Sequence, residues 1–89
     1  MKSSSVVIPN RLGLHARAAA KLVSTASAFS SQVYLERNGQ RINGKSIMGV
    51  MMLAASQGSD ITVVTEGEDE EQALTALLEL INEGFGEEA

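Results

Sequence analysis

Val33-Tyr34-Leu35-Glu36-Arg37-Asn38-Gly39-Gln40-Arg41-Ile42-Asn43 is the stretch on which the fold turns. Val33 and Leu35 point one way and Tyr34 and Glu36 the other, the period-two pattern of a strand with one buried face. Asn38-Gly39 supplies the pair that tolerates a tight two-residue hairpin turn, so Gln40 to Asn43 pairs back as the next strand. Beyond the hairpin, Gly44 breaks the chain, Ser46 is placed to cap a helix, and Ile47 to Ala55 forms a short apolar helix. Gly58 closes that region and Ile61 to Thr65 reads as a further strand. After the turn at Gly67, Asp69 caps a last helix, with Glu70 and Glu71 in its first turn. Leu74, Leu77, Leu78 and Ile81 form that helix's buried stripe and Gly84 ends it, leaving residues 84–89 as a frayed tail.

On the N-terminal side of the hairpin, Ala19, Leu22, Val23 and Ala26 recur at helical spacing and predict a helix from Ala16 to about Ala28. Arg11 to Leu14, with Gly13, is loop. Ser4 to Ile8 is a first short strand, ended by Pro9-Asn10. The order is βαββαβα. Single apolar stripes and alternating strands predict an α+β fold in which helices cover one face of an antiparallel sheet. The strand order stays open from pattern alone.

The 89 residues are expected to form one domain, 1–89, with room for one core. The composition, 44% hydrophobic and 20% charged, is that of a globular chain. The absence of cysteine excludes disulfides and thiolate metal sites, and a lone histidine excludes a His-His metal pair. A net charge of −4 and few aromatic residues argue against a nucleic-acid partner. The N-terminus lacks a signal peptide's apolar core and no apolar run spans a membrane, so a cytoplasmic protein is expected. The acidic run Glu66 to Glu71 lacks the ligand spacing of a calcium loop and reads as capping plus a solvated face. Arg37, Arg41 and Lys45 read as solvated charge. Neither a metal nor a cofactor is expected.

The informative segment is Gly13-Leu14-His15-Ala16-Arg17-Ala18-Ala19-Ala20-Lys21. His15 falls at the N-cap of the first helix, beside backbone N–H groups that lack helical partners and favour an anion. Arg17 adds a guanidinium suited to phosphate oxygens. A lone histidine at a helix start is most often a polar cap. With Arg17 and the small Ala16 and Ala20, it also suits a histidine that carries a phosphoryl group.

Here the chain resembles a known family. Leu12-Gly13-Leu14 followed by His15-Ala16-Arg17 looks like the active-site signature of HPr, the histidine-containing phosphocarrier of the bacterial phosphotransferase system. The resemblance spans nearly the whole chain and takes in Gly44-Lys45-Ser46-Ile47-Met48, Gln57-Gly58 and Glu66-Gly67-Glu68-Asp69-Glu70. It implies an open-faced β-sandwich with strand order 1-4-2-3. It also implies that His15 accepts phosphate on Nδ1 from an Enzyme I type donor and passes it to an Enzyme IIA type acceptor. Arg17 and the N–H groups of Ala16 and Arg17 would steady the phosphoryl group. Such a protein is a carrier component rather than a stand-alone enzyme. The family pattern usually has proline where this chain has Ala18. That alanine and the ending Ile81-Asn82-Glu83-Gly84-Phe85 are similar to the nitrogen-related paralogues called NPr, so a regulatory, nitrogen-type carrier is expected, with sugar-uptake HPr as the alternative.

Ser46 matches the serine that an HPr kinase/phosphorylase modifies in some bacteria. Capping accounts for it without regulation, and the two readings are compatible. A phosphate there would add about −2 charges to the docking face and weaken binding to an acidic partner. Ile47, Met48, Met51 and Met52 make the short helix apolar nearly all round, with Val50 and Leu53 the better core residues. Ala16, Arg17, Ala20, Lys21, Lys45, Met48 and Met51 are the candidate partner-binding residues, methionine being able to repack against different partners. A monomer is expected, since no other large apolar patch is evident. A competing reading is a regulatory binding module controlled by Ser46, with His15 incidental. Purely regulatory relatives lack the active histidine, which this chain keeps.

Overall fold

The computed structural model describes residues 1–87. Its elements are β1 (Lys2–Val7), α1 (Ala16–Ser27), β2 (Gln32–Arg37), β3 (Gln40–Asn43), α2 (Ile47–Met52), β4 (Asp60–Glu66), α3 (Glu70–Asn82) and a 3₁₀ turn (Gly84–Gly86). Asn38 and Gly39 both take positive φ, as the hairpin between β2 and β3 demands. The four strands form one antiparallel sheet in the order β1-β4-β2-β3, the order that the family resemblance implied.

Register explains how one face becomes the core. Ser4 lies opposite Val63, Val63 opposite Leu35, and Leu35 opposite Ile42, so a single row crosses all four strands. Val33, Leu35, Ile61 and Val63 are buried on that face beneath the helices. The helix α1 contributes Ala18, Ala19, Leu22 and Ala26, all fully buried. Three alanines among the four let its backbone come close to its neighbours. α3 buries Ala73, Leu77 and Ile81, while Leu74 and Leu78 of the predicted stripe pack at the margin, only partly covered.

Three expectations need correction. The helix α2 spans six residues, shorter than the predicted Ile47 to Ala55. It stops because Ala54 adopts a left-handed φ of 53°, which turns the chain toward β4. Asp69 precedes α3 but makes no side-chain hydrogen bond to that helix. Its carboxylate instead accepts from the Ser30 and Ser31 N–H groups at 2.9 and 3.0 Å and from the Ser31 hydroxyl. α3 is closed locally by Glu70, whose carboxylate accepts from Gly67 N–H at 3.1 Å.

The third correction concerns the tail. Gly84, Phe85 and Gly86 take φ of 64°, 59° and 73°, a left-handed turn in which Phe85 is fully buried in the main core. A bulky residue at positive φ costs about 1–3 kcal/mol. Burying a phenylalanine side chain offsets that, at about 1.5–3 kcal/mol. Lys21 adds a hydrogen bond from Nζ to the Phe85 carbonyl at 2.7 Å. Residues 84–87 are therefore docked against α1, and only 88 and 89 of the predicted tail lie outside the described residues. Among the described residues, no helix is long and apolar enough to cross a membrane.

Candidate functional site

The loop before α1 is set by Gly13. At φ +64°, a Cβ there would sit 2.5 Å from the Ala55 carbonyl oxygen, so only glycine allows the approach. The next residue, Leu14, donates its N–H to that same oxygen at 2.9 Å. This clasp ties the start of α1 to the end of α2 and delivers His15 to the N-cap.

His15 has extended backbone angles and its carbonyl accepts the first helical bond, from Ala19 N–H at 2.8 Å. Its side chain makes no capping bond to the helix. The N–H groups of Ala16 and Arg17 belong to the first turn, where no carbonyl precedes them in the helix, and both residues are exposed. Ala18, the third residue of the helix, is buried. The imidazole is half-buried, and its Nε2 is hydrogen-bonded to the Glu87 carboxylate. Glu87 is in turn held by Asn10, whose Nδ2 donates to Oε1 at 2.9 Å and to the Gly13 carbonyl at 2.9 Å. Both partners are acceptors, which fixes the orientation of the buried Asn10 amide. The Asn10 bond, reinforced by the His15 bond and the Arg17 charge, keeps Glu87 below the usual carboxylate range despite its desolvation.

Beside the imidazole, Arg11, Leu12, Arg17, Lys21, Gly86 and Glu87 line an open cleft of about 330 Å³. Three cations beside unpaired backbone donors make this end of α1 attractive to a phosphate-sized anion. The structure thus brings His15, Ala16, Arg17 and Lys21 to one end of α1, with Ala20 exposed one turn along. Lys21 is partly committed through its bond to Phe85.

Lys45 does not join them. Its Nζ donates to the Phe29 carbonyl at 2.8 Å, at the far end of α1. From His15 to Phe29 is roughly 20 Å at 1.5 Å per residue. Nor are Arg37, Arg41 and Lys45 alike in being solvated. Arg37 donates to the Leu53 carbonyl at 3.2 Å, and Arg41 pairs with Glu36 at 2.6 Å while lying over the Tyr34 ring. Ser46 follows Lys45 and caps α2 as predicted, its Oγ accepting from Gly49 N–H at 3.1 Å. Met48 and Met51 are exposed, at 74% and 42%, as are Ile47, Met52 and Leu12, while Val50 and Leu53 are buried. The Gly13–Ala55 clasp sets the Leu12 loop beside the chain that leaves α2, so the C-terminal end of α2 is the one tied to the His15 loop. Among the described residues, no cluster of metal-ligating side chains occurs.

Sequence reasoning missed Asn10 and Glu87. The available signal was Phe85 between two glycines just after a helix: glycines permit the left-handed turn and an aromatic residue drives it inward.

Comparison with known proteins agrees with this geometry. Residues 2–83 match the family described as the PTS HPr component phosphorylation site. The chain is 54% identical to the phosphocarrier protein HPr of Neisseria meningitidis and 55% identical to that of Cupriavidus necator, each alignment covering 98% of both chains. It superposes on the crystal structure of HPr from Thermoanaerobacter tengcongensis with a TM-score of 0.97 at 50% identity, over 100% of both chains.

Proposed function

The chain belongs to the HPr family of phosphotransferase-system phosphocarriers, and on that premise we propose that His15 is the residue that carries the phosphoryl group. It takes the group from a phosphorylated Enzyme I type donor in the cytoplasm and hands it to an Enzyme IIA type acceptor. The observation that carries this reading is the N-cap itself: His15 leaves the exposed Ala16 and Arg17 N–H groups without a side-chain cap, beside the Arg17 guanidinium. These donors and the guanidinium would hold the phosphoryl oxygens, and the open cleft would leave the group within reach of a second protein. Incubation with Enzyme I and phosphoenolpyruvate is expected to add one acid-labile phosphate, seen by intact mass. Retention of that phosphate in His15→Ala would refute the assignment.

For the branch, the relatives' names favour the general, sugar-uptake type of carrier over the nitrogen type. The nitrogen-type reading rests on Ala18 and the Ile81–Phe85 ending. Ala18 is the third residue of α1, where proline removes only an N–H that has no helical partner, so either residue suits this backbone. Parallel labelling by sugar-type and nitrogen-type donors separates the branches, and faster labelling by the sugar-type donor is expected.

Regulation through Ser46 would act on docking rather than on chemistry. Ser46 sits toward the far end of α1, and charges on the surface are screened beyond about 8 Å at physiological salt. A phosphate placed there by an HPr kinase/phosphorylase would be felt by a partner lying across Met48 and Met51, not by the imidazole.

A further inference from the structure

A negative side chain beside a histidine that receives an anion calls for a reason, and the placement of Glu87 supplies one. Asn10 holds the carboxylate by donating to Oε1 at 2.9 Å, and the chain that carries it is anchored two residues earlier at Phe85, whose side chain is buried and whose carbonyl accepts from Lys21 Nζ at 2.7 Å. An ionised carboxylate offers only acceptors. The ring nitrogen that faces it, Nε2, therefore carries the proton, and in the neutral imidazole the lone pair is left on Nδ1.

We propose that Glu87 is a positioning residue for phosphoryl transfer: held by Asn10, its carboxylate binds the Nε2 proton of His15 and reserves Nδ1 as the nucleophile. This rests on the carrier reading of His15. In the transfer, the Nδ1 lone pair forms a bond to phosphorus while the donor's bond to phosphorus breaks, its electron pair staying with the donor atom. No proton has to move. The positive charge gained by the ring faces the carboxylate through Nε2–H, while the phosphoryl group is carried on the other ring nitrogen. The same arrangement serves the reverse step, in which the acceptor's lone pair takes the phosphoryl group and Nδ1 recovers its own.

The two obvious substitutions then rank in an unusual order. In Glu87→Gln the amide still has to offer its oxygen to the Asn10 donor, so its NH₂ faces His15. That makes Nε2 an acceptor and moves the ring proton to Nδ1, masking the nucleophile. Glu87→Ala removes the selection and leaves both tautomers open. The conservative variant is therefore expected to be the more damaged one. Breaking a carboxylate–imidazole contact around metal-ligating histidines costs about 10–100-fold. A loss of that order in the initial rate of phosphorylation by phosphorylated Enzyme I is expected for Glu87→Gln, and a smaller one for Glu87→Ala. The ring ¹⁵N shifts of His15, with the ring neutral, should place the proton on Nε2 in the wild type, on Nδ1 in Glu87→Gln, and on both in Glu87→Ala. A Glu87→Gln protein that keeps its proton on Nε2, or is phosphorylated as fast as Glu87→Ala, overturns the proposal. The ring-proton measurement needs no donor. It decides the role of Glu87 even where absence of wild-type labelling would overturn the carrier reading itself.

Discussion

The starts of α1 and α2 face the same physical problem and answer it in opposite ways. Both leave unpaired N–H groups at a helix end. At α2, Ser46 folds its hydroxyl back onto Gly49 N–H and satisfies one donor within the helix. At α1, His15 turns its ring away toward Glu87 and leaves the donors of Ala16 and Arg17 to an external partner. A side chain that caps closes an anion site, and one that points outward keeps it open. Residue type alone did not separate the two cases, since serine and histidine both occur at helix starts. What separates them is a carboxylate supplied to the imidazole from the other end of the chain.

The most direct way to break the comparison is to exchange the fates of the two residues. His15→Ala should lose phosphoenolpyruvate-dependent labelling completely, and Ser46→Ala should keep it, both read by intact mass. The next effect in size concerns the segment that turns the imidazole outward. Phe85→Ala removes a fully buried aromatic side chain and is expected to destabilise the fold by about 3–5 kcal/mol in urea unfolding. Arg17→Ala removes one charged contact to phosphate oxygens, worth about 1.5–3 kcal/mol. That predicts a phosphorylation rate lower by about 10–100-fold with an unchanged melting temperature, because Arg17 is exposed.

Ser46→Ala sharpens the contrast from the other side. Loss of its cap should cost about 1 kcal/mol of stability and nothing in His15 labelling. The last test bears on the third helix start and shows itself only in acid. Asp69 is lowered from 3.8 to about 2, first by the Ser31 hydroxyl and then by the Ser30 N–H, against desolvation. A carboxylate depressed in the folded state binds protons less readily than in the unfolded chain. Its stabilisation is therefore fully present above pH 3.8 and lost as the pH falls toward about 2. Thermal melts across that window should show a decline that Asp69→Asn flattens.

The parts of the molecule that local chemistry governs were legible in the sequence. Asn38-Gly39 announces the hairpin because few residue pairs accept two positive φ angles. Alanine-rich spacing announces α1, and the Ser46 cap is a three-residue interaction. The predicted end of α2 overshot because Ile47 to Ala55 is apolar throughout, and nothing in that pattern marks Ala54 as the residue that turns left-handed. Asp69 was read as a cap because a cap is what an aspartate before a helix most often is. The fold brought Ser30 and Ser31 within reach, and three donors outcompeted one helix. The bond from Lys45 Nζ to the Phe29 carbonyl was likewise invisible in the sequence, because the two residues are 16 positions apart and meet only in the fold.

The sequence by itself determined the order of elements, the location of the histidine at a helix mouth, and the exclusion of thiol chemistry. Each follows from residue identity and from interactions a few positions long. The tertiary structure alone decided which atoms surround that histidine. His15 and Glu87 are 72 positions apart, and Lys21 and Phe85 are 64 apart. Such contacts depend on the packing of β1, β4 and α3, which carries the end of the chain back to its beginning. Their free energy comes from burying Phe85 in a core assembled by the whole sheet; the flanking glycines permit the turn, but the residues that receive the ring lie elsewhere in the sequence.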